Sequence, residues 1–456
     1  MKIFRFLFYG TLLTIFPALL SAQENKGPIS LSLKQAQEYA LQNNKSILNA
    51  NLDVEAAKKK VWETTTMGLP HVDAKVSTSY ILTMPAFFEQ FLRPGIEASV
   101  PQGADHDRKV EDLLQKSLDS MRFSGTLDLT VSQLIFSGSY LVGLQASKVY
   151  RSLSELNKVK STQDVLESVT NSYFMVLVAK ENALLLDSTR LNVEKTLTEI
   201  SAMYQQGFVE ETDADQLKIT LTNLKSSLDM IRRQIDIAER LLKIQLGIPI
   251  DQQVALTDNL PDLINAMTYD QLLLADLVLD NNVSYQMLEA QVKSSELIVK
   301  LRKSETLPTI AAFYQHEELL NTNSISFTPP DLVGLTVSIP IFNSGERWSK
   351  IKQAKMELQK SKNTLTQTSD MLRLEYYQSK SALVSAKEKF ESDKSNLELS
   401  RKIYNRGLIK FQNGVISSID LTQLQTQYLT AQSAYYQSLQ SLITEKNKLE
   451  KILTKN

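Results

Sequence analysis

Leu129-Thr-Val-Ser-Gln-Leu-Ile-Phe-Ser-Gly138 and Leu335-Thr-Val-Ser-Ile-Pro-Ile-Phe-Asn-Ser-Gly345 are two versions of one phrase, each standing just before a long stretch of helical composition. From Gly138 to Gly207 is 69 positions, and from Gly345 to Gly414 is again 69. An Asp follows each second glycine at plus six (Asp213, Asp420) and a Leu at plus ten (Leu217, Leu424), so four landmarks share an offset of 207. Upstream, Asn43-Asn44 stands as far before Leu69-Pro70 as Asn281-Asn282 before Leu307-Pro308, at an offset of 238. The first copy therefore carries 31 additional residues between its Leu-Pro and Gly138. Chance likeness between amphipathic helices accounts for shared Leu and Ala, but not for matched Gly, Asp and Asn-Asn landmarks. One unit is repeated: helix, strand, loop, strand, long helix, tip, helix. The expected copies are residues 30–247 and 268–455, joined by a connecting segment at 248–267.

Within each copy two periods alternate. Val72, Ala74, Val76, Thr78 and Tyr80 interleave with Asp73, Lys75, Ser77 and Ser79, while Leu127, Leu129 and Val131 interleave with Asp128, Thr130 and Ser132. This period of two predicts strands at about 71–81 and 125–136, and Val333 to Ile341 predicts another at about 332–342. A fourth, about 309–315, alternates poorly and is placed by the repeat. Between the strands and the tips at 204–213 and 411–420, the chain reads as helix for roughly 65 residues, about 100 Å at 1.5 Å per residue. No compact soluble domain houses that length. After the first tip Leu217, Leu221, Leu224, Leu228, Ile231, Ile235, Ala238 and Leu242 step by four and three, the seam of a coiled coil. The second copy's seam, expected at Leu424, Tyr428, Ala431, Tyr435, Ser438 and Leu442, is looser. Helices are also predicted before the strands, at about 32–66 and 268–305, half as long as the long ones.

Four strands cannot line a bilayer alone, because an open sheet leaves its edge amides unpaired in hydrocarbon, at several kcal/mol each. Closure takes at least about eight strands, so more than one chain contributes. The fold class is thus an α+β membrane protein: a two-fold internal repeat whose four strands join others in a barrel above a long helical coiled coil.

Composition agrees by exclusion. Only 14 Gly and 12 Pro punctuate 456 residues, and 50 basic against 51 acidic side chains leave a charge of -1 with no footprint for nucleic acid. Lys2 and Arg5 precede an apolar stretch from Phe6 to Leu20 and the small pair Ser21-Ala22, which reads as a signal peptide over 1–22. There is no Cys, hence no disulfide, thiol chemistry or lipidated cysteine. No Gly-x-Ser-x-Gly elbow or phosphate-cradling loop occurs, so no enzyme is expected and no cofactor is called for. His71, His106 and His316 lack carboxylates at ligand spacing, and no metal site is expected. Trp62 and Trp348, the two tryptophans, fall where strand meets helix, and interfacial anchoring and ordinary packing both suit them. The extra first-loop residues hold Met84-Pro-Ala-Phe-Phe88 and a helically spaced set, Val110, Leu113, Leu114, Leu118 and Met121. A capping loop over the outer mouth and a plain surface excursion are both open.

The doubled Leu-Pro strand openings, Ile339-Pro-Ile-Phe-Asn-Ser-Gly345 and the Tyr/Phe-x-x-Gly tips followed by Asp together resemble the TolC-like outer-membrane efflux proteins, over about residues 30–455. The resemblance implies a homotrimer in outer-membrane lipid, with a 12-stranded barrel and a periplasmic helical tunnel. It further implies an exit duct of tripartite efflux or type I secretion, docked on a periplasmic adaptor and an inner-membrane pump. By the same resemblance the tips, Tyr204, Gly207, Thr212 and Asp213 with Phe411 and Gly414, form the entrance. Asp420 would be an acidic ring in the pore constriction, with Gln423 at the second ring position. Phe411 replaces the Tyr of a polar latch, and Ile416 replaces an Arg. A simpler role for Gly207 and Gly414 is helix termination, and for Asp213 and Asp420 an N-cap. The competing function is a non-conducting periplasmic coiled-coil tether.

Overall fold

The computed structural model describes residues 29–320 and 329–454; the predicted signal peptide lies outside the described residues. The described residues begin with β1 (Ile29–Leu31), α1 (Leu33–Asn43) and α2 (Lys45–Thr66), then β2 (His71–Tyr80), two helices of the first loop, α3 (Ala86–Ser99) and α4 (His106–Met121), and β3 (Phe123–Ser137). The first helical hairpin is α5 (Gly138–Gln205) with α6 (Glu211–Leu246). After β4 (Val254–Leu256), α7 (Leu260–Asn265), α8 (Asp270–Leu274) and a 3-10 turn at Leu279–Asn281 come α9 (Val283–Ser304), β5 (Thr309–Leu319) and β6 (Asp331–Ser338). The second hairpin is α10 (Glu346–Gln412) with α11 (Ser418–Leu453).

The landmark offsets reappear as element lengths. Helices α2 and α9 are both 22 residues long, α6 and α11 both 36, and the long helices 68 and 67. The Asn-Asn landmarks explain why the helices before the strands are not continuous as predicted. Asn44 and Asn282 adopt extended conformations and accept bonds from the amides of Ser46 (2.8 Å) and Ser284 (3.0 Å), so each starts a new helix. In the second copy the predicted helix from 268 is accordingly broken into α8, the 3-10 turn and α9. Asn44 is buried, and its amide also donates to the Gln245 carbonyl at 2.6 Å, tying α2 to the end of α6. Asn44→Ala removes a cap and leaves the part-buried Gln245 carbonyl without this donor, an expected loss of about 2–3 kcal/mol; Asn44→Ser, which keeps the cap alone, should recover part of it. Thermal loss of helical circular dichroism in detergent measures both.

The four barrel-type strands form one antiparallel sheet in the order β2-β3-β5-β6, with β2 and β6 at its edges. Register sets Val72 opposite Val131, Val131 opposite Tyr314, and Tyr314 opposite Val333, so most apolar residues of the four strands share a face, with Phe313 and Leu332 on the other. Asp73, Lys75, Asp128 and Glu317 stand on the other. On the apolar face the polar residues His316, Glu318 and Asp331 all lie towards the outer ends of β5 and β6. The predicted strand at 332–342 stops at Ser338, because Pro340 has no amide for the ladder. The segment 248–267, expected only to connect, contains β4, which pairs in parallel with β1.

Two apolar cores hold the helices. One wraps the middle of α5 and α10 with α1, β1, β4 and α7 around Val169, Tyr173, Leu383 and Leu439. There Tyr173 is fully buried, and its hydroxyl reaches the Leu31 carbonyl at 3.0 Å and the Asp258 carboxylate at 3.1 Å. Asp258 in turn accepts the Leu33 amide at 2.6 Å. Tyr173→Phe unsatisfies this clasp and should cost about 1–3 kcal/mol, read as a lowered midpoint in the same thermal assay. The second core runs towards the tips, and there the α6 seam from Leu217 to Ile231 is buried as predicted. On α11 the predicted Tyr428, Ser438 and Leu442 are buried, but Leu421, Gln425, Gln432, Tyr436 and Leu439 are buried where Leu424, Ala431 and Tyr435 were expected, so glutamines interrupt the stripe. Gln432 donates to the Asn182 side chain on α5 at 2.8 Å, and Asn447 to the Asn171 side chain at 2.7 Å, so polar rungs join α11 to α5. Trp62 and Trp348 are 60% and 61% exposed, and the Lys352 ammonium lies over the Trp348 ring at 3.6 Å.

Candidate functional site

Both hairpins turn at the tips by the same device. Gly207 (φ +77°) and Gly414 (φ +70°) are left-handed, and the next amides reach back five residues, Phe208 to the Met203 carbonyl (3.0 Å) and Val415 to Lys410 (2.9 Å). This double closure ends α5 and α10 and explains both glycines by conformation. Nothing would contact a Cβ at either position, so Gly207→Ala and Gly414→Ala should each cost only the left-handed penalty of about 1–2 kcal/mol; a larger loss in thermal melts would mean the tips are packed against something else.

The returning helices differ. Ser417 caps α11, accepting the Asp420 amide (3.2 Å), while the Asp420 carboxylate accepts the Ser417 amide (3.1 Å) and hydroxyl (2.8 Å). Asp420 is thus the third residue of its helix and not the N-cap considered above; Asp213 is likewise third in α6, behind Glu210. The Ser417 hydroxyl and amide hold the Asp420 carboxyl below the usual range. Its support for α11 is therefore present above the ordinary carboxylate pKa and is lost as pH falls through the lowered value. Asp420 and Gln423 are both exposed and line one groove of about 760 Å³, whose opposite wall on α10 carries Arg406 and Lys410.

The remaining tip residues stay within their own hairpins. Phe411 is 7% exposed and packs in the core with Leu421, Tyr404 and Tyr428, so its ring is structural here. The Thr212 hydroxyl bonds Glu210 at 3.2 Å, and Tyr204 lies against Glu211, whose charge pushes the phenol up. Among the described residues, the side-chain bond joining the two tips is Gln412 to Glu199 at 3.3 Å. Reading by spacing missed Ser417, and also the carboxylates Glu210, Glu211 and Asp215 beside Asp213. Four acids within six residues at 210–215 were visible in the sequence as a charge run. Above the tip, Gln216, Asn396, Thr422, Thr426, Gln427 and Thr430 line a polar groove of about 860 Å³.

A four-stranded sheet stands on two helical hairpins, each pairing a long helix of 68 or 67 residues with one of 36. Residues 274–455 match the model of the outer membrane efflux protein family. The fold is shared with solved structures at low identity. The Campylobacter jejuni CmeC outer membrane channel is 17% identical with a TM-score of 0.69, covering 92% of this chain and 85% of its own. The outer membrane protein VceC from Vibrio cholerae is 14% identical, TM-score 0.71, covering 93% and 96%. The open-state Neisseria gonorrhoeae MtrE outer membrane channel is 14% identical, TM-score 0.69, covering 92% and 88%. No curated protein sequence matches the chain.

Proposed function

We propose that three copies of this chain close a 12-stranded barrel in the outer membrane and form a passive, non-enzymatic exit duct for efflux or type I secretion. The single observation that carries this reading is the sheet: Val72, Val76, Leu129, Val131, Tyr314, Val333 and Leu335 share one face, Asp73, Lys75, Asp128 and Glu317 stand on the other, and edge strands β2 and β6 are left to pair with neighbours. Edges unpaired in hydrocarbon are untenable, and antiparallel pairing of β6 with the next chain's β2 removes both. The helical hairpins then continue the duct into the periplasm, where the tips meet an adaptor and a pump. The exposed Thr and Gln of α11 supply an uncharged, wettable wall, and Asp420 with Gln423 forms the constriction. Tyr204, Gly207, Thr212, Asp213, Phe411 and Gly414 shape the entrance around it.

Purified protein in planar bilayers should show unitary conductance steps; a tethering coiled coil gives none. The entrance assignment is tested by Asp420→Asn. Three ionised carboxylates at a narrow neck attract cations, so the parent should be cation-selective in a salt gradient and the variant's reversal potential should move towards zero. Identical reversal potentials would remove Asp420 from the pore and leave it as the partner of Ser417 alone.

A further inference from the structure

The first loop differs from the second in carrying a helical hairpin. Ile81 still donates to the Arg122 carbonyl at 2.8 Å, one step beyond the Tyr80–Phe123 pair, and Arg122 donates to the Leu82 carbonyl at 3.1 Å. The hairpin is therefore tied to the outer end of β2 and β3. Five residues, 81–85, separate β2 from α3, a reach of at most about 17 Å.

Helix α3 has two apolar faces. Phe88, Leu92 and Ile96 are half-buried, on the side of α3 towards α4, whose Val110, Leu114 and Leu118 are buried. Phe87 and Phe91, one turn apart with rings stacked at 6.0 Å, are instead 61% and 58% exposed. Leu82, just before the helix, is 83% exposed. The outer end of the sheet's apolar face carries Tyr80, Phe123 and Leu320, all exposed, so the exposed Leu82, Phe87 and Phe91 follow an apolar rim by one short link. From Val72 to Tyr80, a strand tilted by about 40° climbs roughly 20 Å, most of the ~25 Å apolar band of such a barrel. The outer end of β2 thus falls at the height where hydrocarbon gives way to headgroups, the level at which aromatic side chains partition best, and the five-residue link keeps the start of α3 within about 17 Å of it.

We propose that α3 lies on the outer leaflet, with Phe87 and Phe91 inserted at the boundary between headgroups and acyl chains, so that the hairpin anchors the barrel rim in lipid and leaves the mouth uncovered. This rests on the outer-membrane reading above. An amphipathic helix binds a bilayer surface through its buried apolar area, and here the strands already hold it at that surface.

The chain has no cysteine, so single substitutions report one site each. Phe87→Cys, Phe91→Cys, Lys116→Cys on α4 and Val76→Cys on β2 are spin-labelled, and the protein is reconstituted into phosphatidylcholine vesicles. Collisions with oxygen, which concentrates in lipid, are compared with those of a water-soluble nickel chelate. The expected result is an oxygen-to-nickel ratio above one at 87, 91 and 76 and below one at 116. Nickel dominance at 87 and 91 with oxygen dominance at 76 means that α3 stands in water, and exclusion of both reagents at 87 and 91 means that it packs against another copy; either overturns the proposal and keeps the barrel. Nickel dominance at 76 sinks the barrel reading and this inference together. Leu82→Cys serves as a second probe of the same boundary should either Phe variant fail to fold.

Discussion

Val76→Arg should lose about 2–4 kcal/mol of stability in a bilayer, the cost of a charge on the lipid face of a barrel near its midplane, while Ser77→Arg should stay within about 0.5 kcal/mol. The two residues are neighbours on β2 and point to opposite faces, with Val76 paired to Leu127 and Ser77 to Thr126. Lys75, already charged, shares the face of Ser77. Denaturant titration of folding into vesicles measures both variants. Equal losses would mean that the two faces meet the same environment, which no membrane barrel allows.

The second large effect is expected at Gly247. It ends α6 in the left-handed region (φ +75°), as Gly207 ends α5, but here an added Cβ would run into the backbone carbonyl of Asn43. Gly247→Ala should therefore cost the left-handed penalty of about 1–2 kcal/mol and a further 1–3 kcal/mol or so for overpacking against backbone that cannot yield. Gly207→Ala serves as the control with the same φ and open space. If both alanine variants melt at the same temperature, the junction between α1, α2 and α6 is looser than the contact implies.

Much of this architecture is legible in the chain because its landmarks are conformational. Gly207 and Gly414 mark turns that only a left-handed residue makes easily, and Asn44 and Asn282 mark helix starts, so equal spacings translate into equal elements. The strand faces are legible for the same reason: the period of two survives wherever one side meets polar surroundings. What stayed hidden is polar and buried. Gln425 and Gln432 occupy core positions of α11, where a search for apolar residues passes over them and shifts the seam. The pairing of β1 with β4 was equally unreadable, since three-residue strands are too short to show a period. At the candidate site, Asp420 was found by its distance from Gly414, but its role as the third residue of a capping box depends on Ser417, which spacing did not single out.

Those hidden polar residues have a mechanical consequence. Gln432 and Asn447 each meet one asparagine on α5, about four turns apart along α11. Sliding α11 along α5 by a single turn, 5.4 Å, would pull both from their partners at once and strand buried amides, at about 1–3 kcal/mol for each. A seam made only of leucines would pass such a slip at lower cost, because one methyl group substitutes for another. The two hairpins are thus keyed against axial translation, and the movements left cheap between them are those that turn one about the other while the rungs stay closed.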